Sequence, residues 1–514
     1  MFGFLKENTE TISMKAKTLM IQGTGSGVGK SIITAALCRR FFHEGWKVAP
    51  FKAQNMALNS YVTCEGGEIG RAQAFQAEAC GVEPNVHMNP VLLKPCGDNL
   101  SQVIVMGKVV GNRTAKDYFN GKEILRQDVH AAFKNLDQEY ELIILEGAGS
   151  PAEINLKKWD IVNMDMADFA DAPVLIVGDI DRGGVFAWMK GTFDLLKEKE
   201  QNRVCGFIIN KFRGDTDILK TGLDQFEEMV GKPIFGVIPY CRDLIVDEED
   251  AIPLFNHPSG QNKENALDVA LIWLPRIANF TDVSPLAYDP AISTRYVAHS
   301  AQLGNPDLIV IPGSKNTIDD MDYLKSKGLN EAIRNCHLNG TVVLGICGGY
   351  QMMGDIISDP HNQESRKTRI QGMGLFDFET IMEPYKITRQ VKRSTLNGPV
   401  FPGGLFVEGY EIHMGRTRFH SEYMPLFEIQ NEESSQLGVS DPEGRIIGTY
   451  LHGFLDNDPL RHALLNHVRR KRNYPETENG FNYGKFREEQ LNRLENLVCG
   501  SIDMERIKII INDK

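Results

Sequence analysis

Short apolar runs, each closed by a glycine or an acid and followed by a helix-compatible stretch, set the rhythm of this chain. Thr18–Gln22, the run inside Glu141–Ser150 (ELIILEGAGS), Ala172–Gly178, Val204–Asn210 and Phe235–Tyr240 are five of them. Bounded apolar runs of about four to eight residues are the mark of buried strands. Their alternation with helical segments predicts a doubly wound parallel α/β sheet. Leu254–Asn265 (LFNHPSGQNKEN) breaks the rhythm with polar residues, Pro and Gly, and reads as a linker. A second α/β unit begins at Leu267 and continues through the runs Leu308–Ile311 and Val342–Leu344. Within it, Val391–Gly404 is polar with Gly and Pro and reads as an exposed loop. Beyond Pro459 the chain is basic and polar, with helix-like stretches at Leu460–Arg472 and Phe486–Leu497 and a short apolar run, Ile507–Ile511. The expected organisation is an extension at 1–13, a first α/β domain at 14–245, a linker at 246–265, a second α/β domain at 266–465 and a helical tail at 466–514.

Bulk properties narrow the partners. At 514 residues the chain exceeds a single core. Its 42% hydrophobic and 24% charged content is ordinary for a globular protein. A net charge of -12 argues against coating nucleic acid, which needs a basic face. Nine cysteines, an odd number with no CxxC pair, read as reduced thiols in the cytoplasm. No apolar run approaches the ~20 residues that cross a bilayer, and MFGFLKENTETIS is too polar for a signal peptide. Small-molecule substrates are therefore expected, with neither nucleic acid nor membrane as partner; a homo-oligomer is compatible with all of this.

The first α/β unit carries a phosphate-binding pattern. After Thr18–Gln22 comes Gly23-Thr24-Gly25-Ser26-Gly27-Val28-Gly29-Lys30-Ser31, opening into IITAALCRRFF. A glycine loop between strand and helix lets backbone N–H groups cradle phosphates. Lys30 neutralises the transferred group and Ser31 can hold Mg²⁺. The loop has one residue more between its outer glycines than the standard P-loop. Glu146 closes a buried strand at the crevice of the sheet, where it can serve as a second metal ligand. Three polar stretches, FKAQNMALNS, EIGRAQAFQ and VHMNPVLLKP, are richer in amides and charges than packing requires. From them Lys52, Gln54, Asn55, Glu68 and Arg71, with Asn59, Gln73 and Lys94 nearby, are candidates for holding a substrate rich in carboxylates and amides. Arg182, in DIDRGG, could bear on a phosphate or a substrate carboxylate.

The second unit carries a candidate nucleophile. Val342–Gly354 reads VVLGICGGYQMMG, a strand, then G-x-C-x-G, then helix-compatible residues. The spacing matches the nucleophile elbow with sulfur in place of oxygen. Such a turn strains its central residue, and flanking glycines relieve the crowding. It would also present the Cys347 thiol at a helix N-terminus, which favours thiolate. A cysteine nucleophile needs a base. Of 12 histidines, His452 in IIGTYLHGFLDN follows an apolar run and precedes Gly453; His413 in GYEIHMG is the competitor.

GICGGYQ followed about a hundred residues later by GTYLHG resembles a class I glutamine amidotransferase, in its cobyric acid synthase branch. The P-loop resembles that of the dethiobiotin synthetase class, and the polar stretches match the wording of cobyric acid synthases. The resemblance spans roughly Met14 to Asp458. It implies that Cys347 attacks the side-chain amide of glutamine and His452 shuttles the proton, with Gln351 at the motif's glutamine position. Gly348 and Gly313, the latter in IPGSKNT, would supply the oxyanion donors. The family's third residue, a carboxylate two positions after the histidine, is replaced here by Phe454; Asp456 and Glu411 are the alternative acids. Gly23, Thr24, Ser26, Gly27, Val28, Gly29, Lys30 and Ser31 would bind ATP. Asn210, in an N-K pair after a strand, would touch adenine.

The implied reaction is ATP- and glutamine-dependent amidation of the b, d, e and g carboxylates of adenosyl-cobyrinic acid a,c-diamide, through acyl phosphates, with Mg²⁺ and no prosthetic group. The corrinoid is then substrate. The nearest alternative is the sister enzyme that amidates the a and c carboxylates. A partition-type ATPase would carry an extra lysine at the start of the loop, where Ile21-Gln22 stand. A non-catalytic amidotransferase-like module would not need the intact Cys347 and His452.

Overall fold

The computed structural model describes residues 16–97, 100–120, 122–241, 244, 266–430, 436–478 and 480–513. The expected extension at 1–13 and linker at 246–265 lie outside the described residues.

Two α/β sheets form the frame. In the first, six parallel strands lie in the order Ile234–Pro239, Val204–Phe212, Val174–Asp179, Lys17–Gly23, Leu142–Glu146, Val48–Phe51. The strands Val48–Phe51, Leu142–Glu146 and Val174–Asp179 are buried at every position. That is why they read as continuous rather than alternating apolar runs. In the second, seven strands are ordered Ile292–Val297, Leu267–Ile272, Leu308–Ile311, Val342–Ile346, Ile446–Thr449, Gly438–Ser440, Met424–Pro425. Its first five strands are parallel and its last two antiparallel. Among the described residues no helix is long and apolar enough to cross a membrane, and the nine cysteines are free.

Two further layers bring the frames together. Between residues 54 and 114 a four-stranded sheet forms from Gln54–Met56, Val91–Gly97, Leu100–Val105 and Lys108–Thr114. From the second unit projects a long antiparallel ribbon, Phe378–Ser394 against Phe406–Phe419. Its inner strand places Lys386 on Glu68 and Gln390 on the carbonyl of Val62, both in the first unit. The stretch expected as an exposed loop, 391–404, is the closed end of this ribbon. Val391, Thr395, Val400 and Phe401 are buried, and the Phe401 ring meets Phe454 at 6.0 Å. Gly398, Pro402, Gly403 and Gly404 are exposed as expected, while Val391, Thr395, Val400 and Phe401 anchor the turn to the core.

The tail crosses back. Helix Asp458–Lys471 belongs to the second unit, but Tyr483–Cys499 and Met504–Asn512 pack on the first. Leu491, Leu494, Val498, Ile507 and Ile511 join the apolar cluster of the P-loop helix Lys30–His43 and strand Lys17–Gly23. Burying such a side chain is worth about 1.5–3 kcal/mol. Arg39 pairs with Glu488, His43 lies 2.7 Å from Glu495, and Lys508 lies 3.0 Å from Glu44. The apolar run at 507–511 thus finds its partner some 490 residues upstream, near Lys17.

Candidate functional site

In the second unit the buried strand Val342–Ile346 ends at Cys347, whose backbone sits at φ 51°, ψ -109°. This is the strained nucleophile position the glycine pattern anticipates. The loop at Ile311–Ser314 lies directly against the turn. A Cβ on Gly349 would stand 2.0 Å from the Ile311 carbonyl oxygen, and one on Gly348 2.7 Å from the Ser314 nitrogen. A Cβ on Gly313 would stand 3.6 Å from His452 Cε1, so the loop lies against both the turn and the histidine. Cys347 stands at the N-terminus of the following helix, Gly348–Met352, which is only five residues long. The nearby charge comes from His452.

His452 is 1% exposed. Its Nδ1 lies 2.6 Å from Asp282 Oδ2, and the other oxygen of Asp282 accepts the Gly453 N–H at 3.0 Å. Its Nε2 is buried with no conventional hydrogen-bond partner, and the Cys347 sulfur lies beside the ring. Burial pulls the imidazole pKa down, but the Asp282 carboxylate and Cys347 outweigh it and push it up to about 10. A charged imidazole next to a thiol is the arrangement that activates a cysteine nucleophile. The acid holding the histidine is thus neither Asp456 nor Glu411. Glu411 binds Arg389 and lies 3.3 Å from His413 Nε2. His413 is consumed structurally, stacked on Tyr450 at 3.8 Å. Asp282 escaped the sequence reading because it lies 170 residues before His452. The signal available was an acid in the loop shortly after the unit's first strand, in NFTDVS.

Gln351 is 3% exposed, with Oε1 accepting from Thr317 Oγ1 at 3.0 Å and Nε2 donating to the Tyr450 hydroxyl at 3.4 Å. In this arrangement it locks the elbow helix to its neighbours.

In the first unit the P-loop joins strand Lys17–Gly23 to helix Lys30–His43. Gly29, at φ 103°, could not carry a Cβ, which would fall 2.1 Å from Asn210 Nδ2. That amide donates to the Val28 carbonyl at 2.9 Å, so Asn210 braces the loop. Lys30 Nζ donates to the carbonyls of Gly25 at 2.8 Å and Gly149 at 3.1 Å. Ser31 Oγ donates to Glu146 Oε1 at 2.7 Å, Lys52 Nζ reaches the same oxygen at 3.0 Å, and Gln76 Nε2 donates to Oε2 at 2.6 Å. Burial favours the neutral acid, but Lys52 and these hydrogen bonds outweigh it and hold the Glu146 pKa below the usual carboxylate value. Thr24 Oγ1 is buried without a partner. Ser31 and Glu146 are two hard oxygens at the base of the loop, a pair that fits Mg²⁺ with phosphate and water completing the shell. Among the described residues no group of three acidic, His or Cys side chains could hold a metal unaided.

The P-loop opens on a cavity of about 870 Å³. Ser26, Gly27, Gly29, Lys30 and Ser31 line one side; Lys52, Gln54, Asn55, Arg182 and Lys211 supply polar groups; Met56, Phe75, Leu93, Tyr118 and Trp159 supply an apolar wall. Four of the six expected substrate residues, Lys52, Gln54, Asn55 and Arg182, therefore converge. Glu68 and Arg71 do not. Glu68 is fully buried at the junction of the units, 2.9 Å from Lys94 and paired with Lys386. Its burial favours the neutral acid, but Lys386 and Lys94 overcome this and hold its pKa far below the usual range. Arg71 lies over the Tyr61 ring at 5.8 Å. Leu93 and Pro95 face the cavity while Lys94 turns away from it to Glu68 and Ser60, as strand alternation requires. Asn59 likewise points to the second unit.

Two family models match this chain: a CobQ/CobB/MinD/ParA nucleotide binding domain over residues 19–254 and a CobB/CobQ-like glutamine amidotransferase domain over residues 268–460. Cobyric acid synthase from Dehalococcoides mccartyi strain CBDB1 is 48% identical over 97% of this chain and 99% of its own length. The enzyme of the same name from Clostridium tetani is 47% identical over 97% and 99%. That from Caldanaerobacter subterraneus is 48% identical over 96% and 98%. Among solved structures, PurLQS from Thermotoga maritima is similar over 40% of this chain and 99% of its own, at 15% identity and a TM-score of 0.32.

Proposed function

This chain belongs to the cobyric acid synthase family, and on that premise we propose that its two centres run one coupled reaction on a corrinoid. It is a glutamine-using amidoligase of cobalamin biosynthesis. In our reading, Cys347 attacks the carboxamide of glutamine. The oxyanion is met at Gly348 and Gly313, and His452, steadied by Asp282, delivers the proton that lets ammonia leave. Water then hydrolyses the thioester to glutamate.

At the other centre, the cavity takes ATP and the corrinoid together. Backbone N–H groups of the P-loop and Lys30 hold the phosphates. Ser31 and Glu146 would hold Mg²⁺, which neutralises phosphate charge. Lys52, Gln54, Asn55 and Arg182 present a substrate carboxylate, while the wall of Met56, Phe75, Tyr118 and Trp159 receives the macrocycle. The carboxylate takes the γ-phosphoryl group, ADP leaves, and ammonia attacks the acyl phosphate to give amide and inorganic phosphate. Repeated on the b, d, e and g carboxylates of adenosyl-cobyrinic acid a,c-diamide, this yields cobyric acid at four ATP and four glutamine.

The observation that carries the reading is the His452–Asp282 contact of 2.6 Å on an imidazole that also interacts with Cys347. The test is amide formation on the a,c-diamide with glutamine or ammonium as nitrogen source. C347A should lose glutamine-driven product and keep ammonium-driven product. Loss of both would make Cys347 structural, and activity of the wild type on cobyrinic acid alone would favour the sister reaction.

A further inference from the structure

The segment that lines the substrate cavity runs on, within a few residues, into the glutaminase centre of the other unit. Gln54, Asn55 and Met56 face the cavity. Ala57 N–H then donates to the Leu93 carbonyl at 3.1 Å, still within the four-stranded sheet. Two residues later the chain touches the second unit. Asn59 Oδ1 accepts the Phe280 N–H at 3.2 Å. Ser60 N–H donates to Asn279 Oδ1 at 2.9 Å. The Ser60 carbonyl accepts from the Tyr410 hydroxyl at 3.1 Å, and its hydroxyl accepts from Lys94 Nζ at 2.9 Å.

The partners of these bonds in the second unit bear on His452. Asn279, in the left-handed region at φ 53°, starts the single turn Phe280–Val283 that carries Asp282. Its carbonyl accepts the Asp282 N–H at 3.0 Å, and its Nδ2 lies 3.4 Å from His452 Nδ1. The Tyr410 ring stacks on the imidazole, centroids 5.3 Å apart and planes within 17°. Asn59, Ser60, Asn279, Asp282, Tyr410 and His452 are each at most 4% exposed. The acid that orients the histidine and the ring that covers it are therefore both fastened to two consecutive residues of the nucleotide-binding unit.

We propose that Asn59 and Ser60 are positioning residues of the glutaminase centre, and that filling the substrate cavity sets the geometry of His452 through the continuous segment 54–60. The proposal rests on the reading of Cys347 and His452 given above. Packed, hydrogen-bonded contacts transmit a shift because they are not continuously deformable. A catalytic group displaced by about 1 Å can cost roughly 100-fold in rate. Hydrolysis of glutamine would then proceed at full rate only when an acceptor is in place.

The test measures glutamine hydrolysis in the full-length protein with and without ATP and the a,c-diamide, for wild type, N59A and Y410F. Y410F keeps the stacked ring and removes only the bond to Ser60. Expected for the wild type is stimulation by the two ligands together. Expected for N59A and Y410F is a kcat for hydrolysis lower by roughly 10- to 100-fold, with most of the stimulation lost. KM for glutamine and ammonium-driven amidation should each stay within about two-fold of wild type. Equal loss of hydrolysis and ammonium-driven amidation would overturn the proposal in favour of a general folding role. Unchanged, still-stimulated hydrolysis in both variants would also overturn it. Absence of Cys347-dependent hydrolysis in the wild type would instead refute the functional reading beneath it.

Discussion

The two centres are built on opposite plans. In the glutaminase centre the protein's own groups are already in working contact: Asp282 on His452 at 2.6 Å, and Cys347 at the strained turn beside them. In the nucleotide centre the polar groups occupy one another. Lys30 bonds two backbone carbonyls, Lys211 bonds the Gly27 carbonyl at 2.7 Å, and Ser31 and Lys52 share Glu146. Covalent chemistry, which we propose for the first, uses residues the chain supplies, so that centre can be assembled in advance. Phosphate binding, which we propose for the other, draws on cations that here engage the protein's own oxygens. The first is closed and buried; the second opens on about 870 Å³.

The sharpest way to break this contrast is at Cys347. C347A should lower glutamine-driven amidation by roughly 10³-fold or more while ammonium-driven amidation persists, measured side by side on the same preparation. K30M should be the mirror image. Amidation from either nitrogen source should fall by about 10²- to 10³-fold, with basal glutamine hydrolysis intact; a K30M enzyme that keeps ammonium-driven activity would mean the P-loop is not the phosphorylating centre. D282N probes the preassembly itself. Hydrolysis should fall by about 10²-fold. Because Asp282 is what holds the His452 pKa up against burial, the alkaline limb of the pH–rate profile should also move to lower pH.

The smallest effect is a pH dependence of stability at the junction. Burial lowers the Lys386 pKa to about 8, with Glu68 opposing and Lys94 and Lys315 assisting. Since this lies below the free lysine value, the unfolded chain binds the extra proton between about pH 8 and 10.5, and Lys386 adds stability as pH rises through that window. His452 has the opposite sign: its contribution is complete below about pH 6.5 and is lost as pH rises toward 10. K386M should therefore steepen the fall in Tm between pH 8 and 10, as followed by thermal denaturation.

Local chemistry was legible along the chain; chemistry assembled across it was not. The glycine spacing around Cys347 and the loop before Lys30 carry their own geometry, because close backbone approach demands glycine there. Asp282 carries no local sign. It meets His452 only when a turn after strand Leu267–Ile272 reaches a strand end 170 residues on. Glu68 misled in the reverse sense. An acid among polar residues suggests a substrate contact, but Lys94 and a lysine from the distant ribbon neutralise it in the interior. The strands between 54 and 114 were obscured for a related reason. In the strands Gln54–Met56 and Val91–Gly97, Gln54, Asn55 and Lys94 face a cavity or the protein interior rather than water, so the alternation that marks a half-buried strand is lost.

The tail's return to the P-loop helix makes the two lobes inseparable in a way that a bead-on-string gene layout hides. A polypeptide cleaved between residues 244 and 266 would leave its amino-terminal piece lacking Leu491, Leu494, Val498, Ile507 and Ile511, which travel with the other fragment. That piece would be sticky and poorly folded alone, yet the two fragments should find each other by complementation. Expressing either lobe as an independent module would require regrafting the last 30-odd residues onto the first.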